Sequence, residues 1–300
     1  MNAKKGRESS IGKWLVIAKF WTFPISIVPI AVGSALSARF STAFFILMCL
    51  GVMALNAMAN ILNDLFDYRH GVDKADDPAV IRRKHPLITG ASSQKELAIA
   101  SVTLFAFASS CGFVLGAYRG YEIIALGLIG ALAALVYTAG RRSFKSMGLG
   151  ELAVFMTYGP IMTSAAAFVQ SGSFSMSVLY ASVPVGIAIA AILLANNVRD
   201  IVADSTAGIR TIASRLGASR AKELLKASLA STYAFVGLFA TFGLLPITSL
   251  FVFITAPYCA KIAREITGDR VPPNSAELAS RFAIFFGFIL AMGMALHPLI

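Results

Sequence analysis

Hydrophobic residues fill most of this chain in long windows, broken only by short polar segments. Windows of about 18 to 25 residues lie near 14–37, 42–62, 96–117 and 122–139, and again near 149–170, 175–196, 221–242, 244–263 and 278–298. An α-helix rises about 1.5 Å per residue, so each window is long enough to cross a hydrocarbon core roughly 30 Å thick. The pattern predicts an all-α, polytopic transmembrane bundle of about nine spans, forming one domain over residues 1–300. The division between the seventh and eighth windows, at Gly243 to Pro246, contains little polar sequence. Eight spans is therefore the alternative count.

Composition strengthens this reading. The chain is 57% hydrophobic and only 14% charged, with a mean hydropathy of +0.74, which excludes a soluble domain of this length. The formal net charge of +11 would suit a nucleic-acid partner if it covered one solvated face. Instead the basic residues occupy short segments between apolar runs, so no nucleic acid is expected and membrane orientation accounts for them. With the N-terminus and every second loop inside, 24 of the 26 lysines and arginines fall on the cytoplasmic side, leaving Arg39 and Arg119 outside. Nine spans then place the C-terminus outside. The opening segment MNAKKGRESS is basic, but the apolar run after it is too long for a removable signal peptide and lacks a small-residue cleavage site. The first span is expected to be retained, and the lack of a presequence points to a prokaryotic plasma membrane. Cys49, Cys111 and Cys259 sit singly in apolar stretches and read as small buried hydrophobes.

Two acidic clusters break the apolar pattern. At the end of the second window Asn60, Asp64 and Asp67 stand at i, i+4 and i+7, on one helix face. At the end of the sixth, Asn196, Asp200 and Asp204 stand at i, i+4 and i+8. Asn60 and Asn196 are 136 residues apart, as are Asp64 and Asp200, and the clusters close on Gly71 and Gly208. Both clusters follow spans that enter the cytoplasmic face, which suggests two repeated halves around a shared site. Carboxylate and amide oxygens suit Mg²⁺, which bridges a few carboxylates to substrate phosphates. Metal held between Asp64/Asp67 and Asp200/Asp204 would neutralise a departing diphosphate. Arg69, Arg82, Arg83, Lys84, Arg141, Lys145, Arg199 and Arg210 share the same loops and are candidates to grip phosphate oxygens. Each is equally readable as an ordinary positive-inside residue. Tyr137, at the end of the fourth window, could place an aromatic face near a carbocation or could be an interfacial tyrosine. Glu151, just inside the fifth, could orient or deprotonate a phenolic acceptor or simply begin a helix. His70, His85 and His297 lack metal-ligand spacing and offer little.

The segments NDLFDYRHGVD at 63–73 and NNVRDIVADSTAGIRTIASRLG at 196–217 resemble the aspartate boxes of the UbiA superfamily of membrane prenyltransferases, in its menaquinone-type branch. Weaker matches follow in order at 19–29, at Tyr137-Thr138 and at Gly148 to Glu151, so the resemblance covers most of the chain. It implies a helical bundle around a central cavity, with a Mg²⁺-diphosphate site under a cytoplasmic cap and an apolar chamber for an isoprenoid tail. It also implies that Asn60, Asp64, Asp67, Asn196, Asp200 and Asp204 serve that site, with Asp73 nearby. The sequence departs from the family in two places. Arg141 stands where many members carry lysine, so Lys145 could share its role, and His85-Pro86-Leu87 replaces Arg-Pro-Leu, leaving Lys84 or Arg83 as the cation.

The activity implied is Mg²⁺-dependent transfer of a prenyl group from a prenyl diphosphate to a small aromatic acceptor resembling 1,4-dihydroxy-2-naphthoate, in quinone biosynthesis within membrane lipid. The acceptors 4-hydroxybenzoate and a glycerol phosphate ether-lipid precursor remain open. From another class, a cation-coupled transporter would also use intramembrane carboxylates, although its site would lie near the bilayer midplane. A CDP-alcohol phosphotransferase would need a D-G-x-x-A-R signature, which is missing. The topology predicts that cysteines introduced at positions 74 and 215 label from the same side of the membrane with an impermeant reagent. Opposite accessibility would reject it.

Overall fold

The computed structural model describes residues 10–71, 75, 80, 85–138, 144–206 and 208–297. All regular structure among them is helical. The first half comprises α1 (Ser10–Ile17), a 3₁₀ turn (Phe20–Thr22), α2 (Phe23–Ala35), α3 (Thr42–Arg69), α4 (Gln94–Arg119) and α5 (Tyr121–Thr138). A short α6 (Phe144–Met147) leads to α7 (Gly150–Met156), which passes through a π-helical turn (Thr157–Ile161) into α8 (Met162–Ser171). There follow α9 (Met176–Arg199), α10 (Ile201–Thr206), α11 (Ile212–Leu216), α12 (Ala218–Thr241), a 3₁₀ segment (Ile247–Thr255), α13 (Ala256–Ile266) and α14 (Ser275–Ala295).

Every apolar window of the sequence carries helix, but not every one is a straight span. By length and hydropathy α3, α4, the continuous α7–α8 helix, α9, α12 and α14 can each cross a membrane alone, and α1 with α2 makes a seventh as a pair bent by 53°. The chain is thus an integral membrane protein. The first window differs from the expected single helix because Lys19 adopts a left-handed conformation (φ 53°, ψ 52°) between α1 and α2. The α5 helix has only 18 residues, and the eighth window starts as a 3₁₀ helix before relaxing into α13. The chain does turn at Gly243, whose positive φ of 69° separates the seventh and eighth windows.

Helix ends are set by local chemistry. Ser93 and Glu96 form a reciprocal capping box at the start of α4, and the Ser41 side chain caps α3. The α8 helix stops at Gly172, which takes the left-handed conformation (φ 77°) that lacks a Cβ penalty. Arg119, expected outside, locks this end of the bundle: its guanidinium donates to the Val169 and Gln170 carbonyls at 2.6 and 2.9 Å and lies over the Phe44 ring. At the opposite end Arg215 donates to the Met147 carbonyl and Arg199 to that of Pro273, joining the segments after α5, α9 and α13.

Between these ends, small residues bring helices into backbone contact, the usual solution where lipid offers no hydrophobic drive for helix pairing. A Cβ on Gly159 of the π-helical turn would collide with Ser182 and Gly186 of α9, and one on Gly33 of α2 with the Thr163 carbonyl. The main core joins α9, α12 and α14 through fully buried Leu225, Leu229, Phe282 and Phe286. All three cysteines are free and buried, as their apolar surroundings predict.

Candidate active site

The polar end of α3 forms a ladder deeper than the sequence motif. Asn56, Asn60 and Asp64 follow one another at intervals of four residues on one face of α3. Asn56 uses its whole hydrogen-bonding capacity. Its Nδ2 donates to Ser26 Oγ at 2.9 Å and Tyr158 Oη at 3.1 Å, while its Oδ1 accepts from Asn60 Nδ2 at 2.9 Å and lies 2.8 Å from Thr22 Oγ1. Tyr158 reaches this cluster from the π-helical turn, the kind of helix irregularity that often marks a functional site. Above them Asp64 is 2% exposed, and its Oδ1 is bonded to Lys19 Nζ at 2.8 Å. His85 Nε2 lies 3.2 Å from the Asp64 carbonyl, so this loop histidine belongs to the site's frame. Asp67, also buried, accepts from Asn63 Nδ2 at 3.1 Å.

Lys19 is the one non-glycine residue with positive φ among those described. That conformation costs an ordinary L-residue roughly 1–2 kcal/mol, which the ion pair to a buried carboxylate offsets. A carboxylate stripped of water costs several kcal/mol unless it is paired and hydrogen-bonded.

The second cluster is built differently. α9 ends at Arg199 and Asp200 follows as its cap, although the helical spacing of backbone bonds continues from Asn196 to Asp200 and from Asp200 to Asp204. Arg199 grips Asp200 with both prongs, Nε to Oδ1 at 2.7 Å and Nη2 to Oδ2 at 2.5 Å, and also donates to Asn196 Oδ1. Asp204 accepts from Thr211 Oγ1 at 3.4 Å. Next to Asn196, the buried Asn197 donates to Glu151 Oε1 at 2.8 Å, while Glu151 Oε2 is buried without a hydrogen-bond partner among the described residues.

A cavity of about 450 Å³ opens between the clusters. Thr22, Asn56, Asn60, Asn63, Tyr137, Tyr158 and Asn196 supply its polar atoms, and Ile25, Val52, Leu55, Ile189, Ile192 and Leu193 much of its apolar wall. Asn60 of the first box, Asn196 of the second and Tyr137 all line this space, whereas Asp64, Asp67, Asp200, Asp204 and Glu151 are not among its lining residues.

Not every expected residue reaches it. Arg69 is exposed and its Nε donates to Gln94 of α4 at 2.9 Å. Arg210 is exposed as well, and Arg199 is engaged by Asp200 and Asn196. Asp73, Arg82, Arg83, Lys84 and Arg141, with the Lys145 side chain, lie outside the described residues. Among the described residues no three acidic, histidine or cysteine side chains form a ready metal cage. The donors nevertheless fit Mg²⁺, which seldom uses an all-protein cage and is held by one or two carboxylates together with substrate phosphates. Lys19, Ser26, Asn56, Tyr158 and Asn197 were not singled out as site residues in the sequence. The available signal was polarity inside an apolar span, strongest for Asn56 at four residues before Asn60.

The cavity thus joins Asn60 of the first box to Asn196 of the second, and comparison with known proteins identifies the family of the chain. Residues 26–289 match the model of the UbiA prenyltransferase family. This chain belongs to that family. It is therefore a membrane prenyltransferase, and the transporter reading falls away. Family relatives include the 2-carboxy-1,4-naphthoquinone phytyltransferase of Synechocystis, 28% identical with 93% of this chain and 92% of the relative covered. The 1,4-dihydroxy-2-naphthoate octaprenyltransferase of Bacillus subtilis is 25% identical over 91% of this chain and 89% of its own. Among solved structures, a UbiA homolog from Archaeoglobus fulgidus bound to GPP and Mg²⁺ shares the fold at a TM-score of 0.72 and 20% identity, covering 95% of this chain and 99% of that one.

Within this UbiA-family site Asn56 is the hub on which α2, α3 and the π-helical turn meet. Asn56→Leu should leave Ser26, Tyr158 and Asn60 with unmet hydrogen bonds and destabilise the protein by about 1–3 kcal/mol. Thermal melting in detergent reads this directly, and an unchanged midpoint would remove the network's structural role.

Proposed function

We propose that this enzyme transfers a prenyl group from a prenyl diphosphate to an aromatic acceptor of the 1,4-dihydroxy-2-naphthoate class, in a Mg²⁺-dependent reaction. The observation that carries this reading is the cavity itself, which brings Asn60, Tyr137 and Asn196 together with the aliphatic side chains of Ile25, Val52, Leu55, Ile189, Ile192 and Leu193. An amphiphile with an anionic head and an isoprenoid tail suits that mixed lining. The names of the Synechocystis and Bacillus subtilis relatives support an acceptor of naphthoquinone type.

In this reading Asp64, Asp67, Asp200 and Asp204 hold the metal, with Asp73 beside them. Asn60 and Asn196 orient the diphosphate, aided by basic side chains drawn from Arg69, Arg83, Lys84, Arg141, Lys145, Arg199 and Arg210. Bound Mg²⁺ supplies the positive charge that a leaving diphosphate needs. Tyr137 presents its ring face to the allylic carbon as the C–O bond breaks, where a cation is stabilised by aromatic quadrupoles in a dry site. Glu151 completes the acceptor half. Asn197 fixes one carboxylate oxygen and leaves the other, Oε2, with unused acceptor capacity. As the new C–C bond forms to the acceptor ring, the acceptor's hydroxyl proton passes to Oε2. The chain functions as a single domain of nine spans in a prokaryotic plasma membrane, with the N-terminus and the site on the cytoplasmic side.

Two measurements test the halves separately. Purified enzyme is incubated with prenyl diphosphates of graded length and a panel of dihydroxynaphthoate, 4-hydroxybenzoate and glycerol phosphate acceptors, and products are read by mass spectrometry. Prenylated naphthoate is expected, with Asp64→Ala and Asp200→Ala abolishing Mg²⁺-dependent diphosphate release. Product from another acceptor alone would replace the acceptor assignment, and turnover retained in both variants would remove the metal role. For Glu151→Gln, turnover should fall about 10²-fold or more while affinity for Mg²⁺ and inorganic diphosphate is kept. Unaltered turnover would exclude Glu151 as the base.

A further inference from the structure

The leading aspartate of the first box is already neutralised from within the chain. Lys19 Nζ, 2.8 Å from Asp64 Oδ1, provides a positive charge at the carboxylate on which the proposed metal role depends. This is not an incidental surface pair. Asp64 is 2% exposed, and its ammonium partner comes from a residue 45 positions away, at the break between α1 and α2. The Lys19 backbone is held in its left-handed turn by bonds from Thr22 N to the Lys19 carbonyl and from Lys19 N to the Val16 carbonyl. The side chain itself is held by less. Among the described residues its hydrogen bond to Asp64 is a single point contact at the end of a flexible stem, and 20% of the lysine side chain is accessible. An ammonium is a mobile point charge, in contrast to the rigid fork of arginine.

We propose that Lys19 is a resident counter-ion for Asp64, which holds the first box charge-compensated until donor arrives and is displaced by it. Entry of the divalent cation with its diphosphate moves the ammonium from Asp64 Oδ1 onto a diphosphate oxygen. The inference rests on the metal–diphosphate reading of the site and assigns a new role to a residue of the first helix pair. Two consequences follow from the geometry. Lys19 and a divalent cation compete for the same carboxylate, so metal alone meets resistance that metal with diphosphate does not. The exchange is also felt at the α1–α2 joint, where both tryptophans of the chain, Trp14 and Trp21, flank Lys19. Ile17 at the end of α1 clusters with Ile61 and Leu65 of α3, and Trp14 packs against that cluster, which ties this reporter to the core around the helix that carries Asp64.

The test uses the full chain in detergent or nanodiscs, with Mn²⁺ as a paramagnetic probe and tryptophan emission as a second readout. For Lys19→Gln, Mn²⁺ alone should bind roughly three- to tenfold tighter than to wild type, while Mg²⁺ with inorganic diphosphate should bind more weakly. Lys19→Arg, whose fork can grip both Asp64 oxygens, should bind Mn²⁺ alone more weakly than wild type. A purely structural lysine would give weaker metal binding or none of this reversal, so unchanged or weakened Mn²⁺ affinity in Lys19→Gln overturns the proposal. Melting without metal provides an independent check: Lys19→Gln should lower the midpoint, and the double variant Lys19→Gln/Asp64→Asn should restore it. Failure of that restoration also overturns the proposal. Asp64→Asn should lose Mn²⁺ binding. Should it bind Mn²⁺ normally, the metal reading of Asp64 fails first, and the counter-ion role falls with it.

Discussion

Asp64 sits 2% exposed in a bundle whose outer surface is hydrocarbon-like, and the need to compensate its charge organises the residues around it. Leaving such a carboxylate unpaired costs several kcal/mol. A left-handed lysine costs about 1–2 kcal/mol, so the strained turn at Lys19 is the smaller of the two penalties. The bend of 53° between α1 and α2 follows from that choice. It in turn brings Thr22 and the Ala18 carbonyl within reach of Asn60, and carries Ser26 of α2 to Asn56. One buried charge thereby sets the course of the first helix pair and, through Asn56 and Tyr158, ties it to the π-helical turn.

The cavity exists because other contacts are unusually close. Gly159 meets Gly186 backbone to backbone, which draws the π-helical turn onto α9 while Tyr158, its immediate neighbour in sequence, points towards Asn56. A larger residue at either glycine would part the helices that carry Glu151 and Asn197. The small residues thus serve site geometry as much as stability, since Glu151 Oε1 depends on Asn197 reaching it at 2.8 Å.

Both aspartate boxes were legible in the sequence because their spacing repeats at 136 residues and because acidic residues within apolar windows are costly. The buried cysteines were legible for a similar reason, since nothing polar accompanies them. What the linear pattern could not show was pairing between distant elements. Lys19 was countable as a basic residue in the first window, but its tie to Asp64 depends on a left-handed turn that no hydrophobic periodicity encodes. Arg69 fell in the right loop for phosphate, yet its helical position directs it to Gln94 on α4. Tyr158 was hidden because Pro160 and the π-helical turn change which residues of that span share a face.

The boxes are repeated in sequence but differ in mechanics. Asp200 is clamped by its own neighbour, Arg199, through a bidentate pair that also involves Asn196 and the Pro273 carbonyl. Releasing it would break two hydrogen bonds to a planar group that two further bonds, to Asn196 and the Pro273 carbonyl, hold in place. Among the described residues, the Asp64 carboxylate is held by a point contact to a flexible ammonium from the joint between α1 and α2. Charge-assisted bonds are stronger when bidentate and geometrically fixed, so the second box is the rigid half of the site and the first the yielding half. A ligand bridging the two therefore finds one fixed wall against which to be oriented, and one wall whose counter-ion can leave. With Lys19 as the displaceable counter-ion we propose, that asymmetry, rather than the repeat itself, would give entry of a charged donor a direction through the site.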